Sequence, residues 1–202
     1  MNIEKRTTTH KKGIRKLEDI TLAVVHYTGS LSLDGTLSWF GDGRSKVSAQ
    51  YVIGREGQVI QYDNLLPVMW HCGKSEWDGV KWCNRRAVGY ELVATFDSGF
   101  TEAQIDSLIE LLYKDVEVTA IKAIVGHEHI SPIRKVDPGP EFDWKRLRET
   151  HKENPFRNYL HEPVNYIGAH PINVPKKPVE EEHQIESGKD APYIAWWRPS
   201  FF

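Results

Sequence analysis

Gly126-His127-Glu128-His129-Ile130-Ser131-Pro132-Ile133-Arg134-Lys135-Val136-Asp137-Pro138-Gly139-Pro140 is the stretch on which the reading of this chain turns. It sets an imidazole, a lysine and a carboxylate in a short, proline-punctuated loop directly after the apolar segment 120–125. Far upstream, a second apolar segment, Leu22-Ala23-Val24-Val25, runs in the same way into His26-Tyr27-Thr28-Gly29. Two histidines and one carboxylate, all at strand ends, suit a catalytic zinc site, in which three protein ligands leave a fourth position open.

Between these two ends the pattern alternates. Residues 19–26 read as a buried strand, and residues 33–41 as a helix with Leu33, Leu37 and Phe40 on one face and Gly41 as its stop. Val47-Ser48-Ala49-Gln50-Tyr51-Val52-Ile53 and Gln58-Val59-Ile60-Gln61-Tyr62 flank the turn Gly54-Arg55-Glu56-Gly57, which predicts a β-hairpin. A long polar loop with Trp70, Trp77 and Trp82 follows, and then a strand over Val88-Gly89-Tyr90-Glu91-Leu92-Val93. Thr101 and Gln104 have capping-box spacing, and Ile105, Leu108, Ile109 and Leu112 make one apolar helix face. A final helix begins at Phe142-Asp143-Trp144. Alternation of this kind predicts an α/β fold, a mixed central β-sheet flanked by helices.

The 202 residues suffice for one domain and some excess. We divide them into an N-terminal segment (1–17), a domain (18–150) and an irregular, Pro-rich C-terminal tail (151–202) that ends in aromatic residues. The net charge of −2 gives no reason to expect nucleic acid or a membrane surface as partner. The basic stretch 5–16 reads as a solvated start. No apolar run approaches a membrane span, and the N-terminus has no apolar signal core, so a cytoplasmic location is expected. The two cysteines, Cys72 and Cys83, are read as reduced, partly buried thiols, with a single bridge as the alternative; neither has the Cys-x-x-Cys partner of a structural zinc.

The ordered motifs Val24-Val25-His26-Tyr27-Thr28, Val47 to Gly57, Trp70-His71-Cys72-Gly73, Asn84, Val88-Gly89-Tyr90-Glu91-Leu92, Gly126-His127-Glu128, Arg134 to Pro140 and Phe142-Asp143-Trp144 resemble the type 2 N-acetylmuramoyl-L-alanine amidases. These are zinc enzymes related to peptidoglycan-recognition proteins, and the resemblance covers roughly residues 18–148. It implies His26, His127 and Asp137 as ligands of Zn2+. It implies Glu91 as the proton relay and Lys135 as the charge that stabilises the developing tetrahedral centre. It places His71 and Trp70 at the cleft and Asn84 at a position that contacts substrate or orders the loop. His129, two residues past His127, is an alternative ligand, with a supporting role as the default. Two departures stand out: Gln50 where many relatives carry His, and Ala49 where some phage relatives carry a catalytic tyrosine.

The activity so implied is hydrolysis of the amide between N-acetylmuramic acid and the L-alanine of peptidoglycan, by a monomer acting on peptidoglycan or muropeptide. Two settings follow. The first, towards which the tail leans, is a phage or prophage endolysin released to the wall by a separate pore protein. The second is a cytoplasmic amidase that recycles anhydro-muropeptides. A non-catalytic peptidoglycan-binding module, or a regulator working through its tail, are the competing classes; the full set of zinc ligands beside Glu91 and Lys135 favours an enzyme.

Overall fold

A computed structural model of the chain describes residues 2–149; the tail assigned to 151–202 lies outside the described residues. The centre is a six-stranded mixed sheet in the order β1-β5-β4-β9-β3-β10, where β1 is Ile3–Arg6, β3 Leu22–Tyr27, β4 Tyr51–Ile53, β5 Val59–Tyr62, β9 Ala87–Leu92 and β10 Ala123–Gly126. Four neighbours, β4, β9, β3 and β10, run parallel, while β5 runs antiparallel to β4 and parallel to β1. β9 is buried along its whole length and β3 at all but its last residue, as expected for parallel strands covered on both faces.

Helices supply that cover. α1 (Leu33–Gly41) is capped by Ser32, whose Oγ accepts the Gly35 N–H at 3.0 Å, and its Phe40 packs on Tyr62 of β5. α2 (Glu102–Val118) opens with the expected capping box: Thr101 Oγ1 accepts the Gln104 N–H at 3.2 Å, and Gln104 Oε1 accepts the Thr101 N–H at 3.0 Å. Its buried face, Ile105, Leu108, Ile109 and Leu112, lies on the sheet. Two polar ties fix it there. Gln104 Nε2 donates to the carbonyls of Ile53 and Val93, and Asp115 accepts the hydroxyls of Tyr51 and Tyr90 at 3.1 and 2.6 Å. No helix among the described residues is long and apolar enough to cross a membrane.

Four local expectations are revised. The start of the chain is not merely solvated: β1 forms a sheet edge, and β2 (Lys11–Ile14) pairs with β6 (Pro67–Met69). Exposed side chains hid this, because an edge strand needs only its backbone. His10 and Arg15 are themselves buried. The strand expected over 47–53 is reduced to β4, since Val47 and Ser48 spend their hydrogen bonds on His10 and Trp70. The tryptophan loop contains a hairpin of β7 (Glu76–Trp77) and β8 (Val80–Lys81), turned at Asp78 and Gly79, both with positive φ; Asp-Gly is the sequence signal for such a turn. Lastly, the loop after β10 begins with one helical turn, α3 (His127–Ile130).

Candidate metal centre

Strand parity builds the site. Side chains alternate along a strand, so Leu22, Val24 and His26 of β3 share a face, as do Ala87 and Glu91 of β9 and Ala123 and Val125 of β10. Leu22, Val24, Ala87, Ala123 and Val125 join Cys72, Cys83 and Ile130 in one buried cluster, opposite the face that carries α2. The ladder places Glu91 directly beside His26, and Val125 beside Val24. His127, two residues past Val125, therefore arrives next to His26. The carboxyl ends of parallel strands are where α/β sheets hold their ligands.

Three donor atoms converge there. His26 Nδ1 lies 3.0 Å from His127 Nδ1 and 2.9 Å from Asp137 Oδ2, and His127 Nδ1 lies 3.1 Å from Asp137 Oδ2. All three residues are buried, and they are the candidate metal-holding group found among the described residues. Zinc bonds of about 2.0–2.1 Å would set tetrahedral donors roughly 3.4 Å apart, so this triangle fits the ion with a slight expansion. Burial, reinforced by the neighbouring His127, pulls the His26 imidazole down to about 4, which keeps it neutral, the state a ligand needs. Burial alone would push the Asp137 carboxyl up, but His127 and His26 overrule it and hold the group well below the ordinary carboxylate range.

The far nitrogens of both histidines are held by one dipeptide. His26 Nε2 lies 3.0 Å from His71 Nδ1, and His127 Nε2 donates to the Cys72 carbonyl at 3.1 Å. Asn84 fixes that dipeptide, since its Oδ1 accepts the backbone N–H groups of His71 and Cys72 at 3.1 and 2.8 Å. Arg134 Nη2 donates to the same Cys72 carbonyl at 2.8 Å. His71, expected at the cleft, is thus buried behind His26 with 3% of its surface exposed. Asn84, expected to contact substrate or order the loop, spends its Oδ1 on these two backbone N–H groups. Trp70 is half-buried and stacks on His10. His129 turns away from the ligand set: its Nδ1 accepts the Gly126 N–H at 2.8 Å and caps α3. Gln50 is structural too, accepting the Gly89 N–H and donating to the Pro67 carbonyl. Cys72 and Cys83 are free, buried thiols.

Glu91 is 1% exposed, and its Oε2 has no hydrogen-bond partner among the described residues. Burial, with the Asp137 charge second, raises its carboxyl well above the ordinary value, against the pull of Lys135. Lys135 is half-buried in the turn before Asp137 and close enough for its charge to act on both Glu91 and His26. The centre therefore combines three converging donor atoms, a carboxyl with a raised affinity for a proton and a nearby cation.

Residues 16–140 match the sequence pattern of the N-acetylmuramoyl-L-alanine amidases. The chain belongs to that amidase family. Among its amidase relatives is the 1,6-anhydro-N-acetylmuramyl-L-alanine amidase AmpD of Haemophilus influenzae. The two are 37% identical over 150 residues, which cover 64% of this chain and 81% of AmpD. A crystal structure of AmpD superposes with a TM-score of 0.61 at 29% identity, covering 73% of this chain and 93% of that one. The amidase AmiD of Escherichia coli, in complex with anhydro-N-acetylmuramic acid-L-Ala-D-γ-Glu-L-Lys, also gives 0.61, at 28% identity over 70% of this chain and 61% of AmiD.

Proposed function

We propose that this chain is a zinc-dependent amidase that cleaves the bond between the muramoyl lactyl group and L-alanine in soluble 1,6-anhydro-muropeptides, in the setting of cytoplasmic recycling. The observation that carries the reading is the convergence of His26 Nδ1, His127 Nδ1 and Asp137 Oδ2 within 3.1 Å of one another. The names of the relatives support the substrate class and favour the recycling setting over the endolysin that the sequence first suggested.

His26, His127 and Asp137 would hold the ion. Bound zinc supplies Lewis acidity, which acidifies water to a pKa of about 7 and polarises a carbonyl. Glu91 takes the proton of the attacking water and delivers it to the departing L-alanine nitrogen, so one water is consumed and the carbon–nitrogen bond is replaced by a carboxylate and an amine. Its raised affinity for a proton suits both halves of that transfer. Lys135 opposes the negative charge that gathers on the carbonyl oxygen. Trp70, half-buried at the loop edge, remains the candidate contact for substrate.

The test is digestion of anhydro-N-acetylmuramyl tripeptide and of intact sacculi by the zinc-loaded protein, followed by mass spectrometry. The proposal expects anhydro-N-acetylmuramic acid and free peptide from the fragment, far faster than release from sacculi. Preferred attack on sacculi contradicts the recycling setting, and fragments left whole contradict the activity.

A further inference from the structure

We propose that His71 is a positioning residue for the metal centre: its bare Nδ1 accepts the Nε2–H of His26 and so turns the His26 Nδ1 lone pair towards the ion. The inference rests on the reading of His26, His127 and Asp137 as zinc ligands.

A neutral imidazole carries one proton, on one nitrogen or the other. His26 Nδ1 faces His127 Nδ1 and Asp137 Oδ2, so a ligating His26 must carry its proton on Nε2. That nitrogen lies 3.0 Å from His71 Nδ1, which must then be bare. The His71 proton is then left on Nε2, and the Ala87 backbone, to which the ring is hydrogen-bonded, offers a carbonyl to receive it. The chain of bonds closes with every nitrogen in one role. A second proton on His71 would set two N–H groups against each other. The buried guanidinium of Arg15, which donates to the Ala87 carbonyl at 2.7 Å, places a fixed cation behind the ring that opposes such a proton. The Cys72 thiol, a weak donor, lies 3.2 Å from the same His71 Nδ1 and leaves the polarity of the chain unchanged.

The fold makes a slot for this ring. A Cβ on Gly89 would stand 2.7 Å from His71 Cγ and Nδ1, closer than atoms tolerate, so glycine on β9 is what admits the imidazole. Asn84 pins the His71 backbone from the other side. A ligand histidine usually gives its second N–H to a carboxylate, a carbonyl or water. Here the acceptor is a neutral imidazole, which orients His26 without adding negative charge to the centre.

Two experiments on the full chain decide the matter. Long-range 1H–15N correlation of histidine-labelled, zinc-loaded protein reads the tautomers directly. The inference expects His71 protonated on Nε2 alone and His26 protonated on Nε2; a proton on His71 Nδ1, or on both its nitrogens near neutral pH, overturns it. Zinc affinity is then measured by competition with a chelating dye. His71→Leu should weaken binding by about 10–100-fold, while His71→Asn, whose Oδ1 offers an acceptor near the position of Nδ1, should recover most of it. Equal affinity in the Leu variant and the parent, or equal loss in Leu and Asn, overturns the acceptor role. A parent chain that takes up no zinc sinks the metal reading itself, and this inference with it. Should the Leu variant fail to fold, the tautomers of the unsubstituted protein still decide.

Discussion

Glu91 stands directly opposite His26 in the parallel ladder between β9 and β3. One residue of register fixes the relationship, because slipping either strand by one would turn its side chain to the face that carries α2. The candidate proton carrier and the candidate ligand are therefore positioned by backbone hydrogen bonds rather than by a flexible loop, and the roles can be separated by substitution.

Glu91→Gln keeps the shape and the ladder but cannot carry a proton. Turnover should fall by about 10²–10⁴-fold with zinc content unchanged, as read by fragment hydrolysis alongside metal analysis. Activity equal to the parent would remove Glu91 from the mechanism.

Lys135→Met removes a charge that acts on both His26 and Glu91. The rate constant for hydrolysis should drop by about 10²–10³-fold while zinc is retained. A change confined to KM would make Lys135 a substrate anchor instead.

Stripping the ion with a chelator should abolish hydrolysis and lower the melting temperature, both restored by added zinc. With free zinc at about 100 times its Kd, the holo form gains about 2.7 kcal/mol. Melting curves that coincide with and without metal would show that the three side chains hold nothing.

Asp115 gives a pH signature away from the centre. Burial lifts its carboxyl to about 6 from 3.8, against the downward pull of the Tyr90 and Tyr51 hydroxyls. The folded state therefore binds this proton more tightly than the unfolded one. Its contribution is whole below 3.8 and is lost as pH rises through about 6, a difference of about 3 kcal/mol by pH 7. Asp115→Asn should remove that fall, so urea unfolding of parent and variant should diverge between pH 4 and 7. Parallel stability curves would deny the buried, protonated acid.

Arg15 ties the N-terminal segment to the core. Its guanidinium donates to the carbonyls of Leu65, Asn84 and Ala87 at 2.7–3.1 Å, and burial brings it down to about 10. Arg15→Met strands the Leu65 and Asn84 carbonyls, each worth about 1–3 kcal/mol when unsatisfied, while the Ala87 carbonyl keeps the His71 ring as a partner, so a loss of at least about 2 kcal/mol is expected in denaturant unfolding. A loss under about 1 kcal/mol, the worth of one ordinary hydrogen bond, would mean the segment is an appendage.

The part of this architecture that follows local periodicity was legible in the sequence. Leu22, Val24 and His26 announce a buried strand with a polar end, and the capping box at Thr101 announces α2. What escaped were relationships carried by backbone groups distant in sequence. The pairing of β1 leaves no mark on side chains that stay exposed. His71 reads as a cleft residue until the fold puts it behind His26, and Asn84 shows its task only when residues 71 and 72 lie against it. The β7–β8 hairpin carries its turn signal in Asp78-Gly79, but strands of two residues each are too short to show an alternating pattern.

Anomalous diffraction at the zinc edge from crystals of the zinc-loaded protein tests the central claim most directly. The account predicts one strong peak bonded by His26 Nδ1, His127 Nδ1 and Asp137 Oδ2 at about 2.0–2.2 Å. A peak bonded through His129, or no peak among these three side chains, would contradict it.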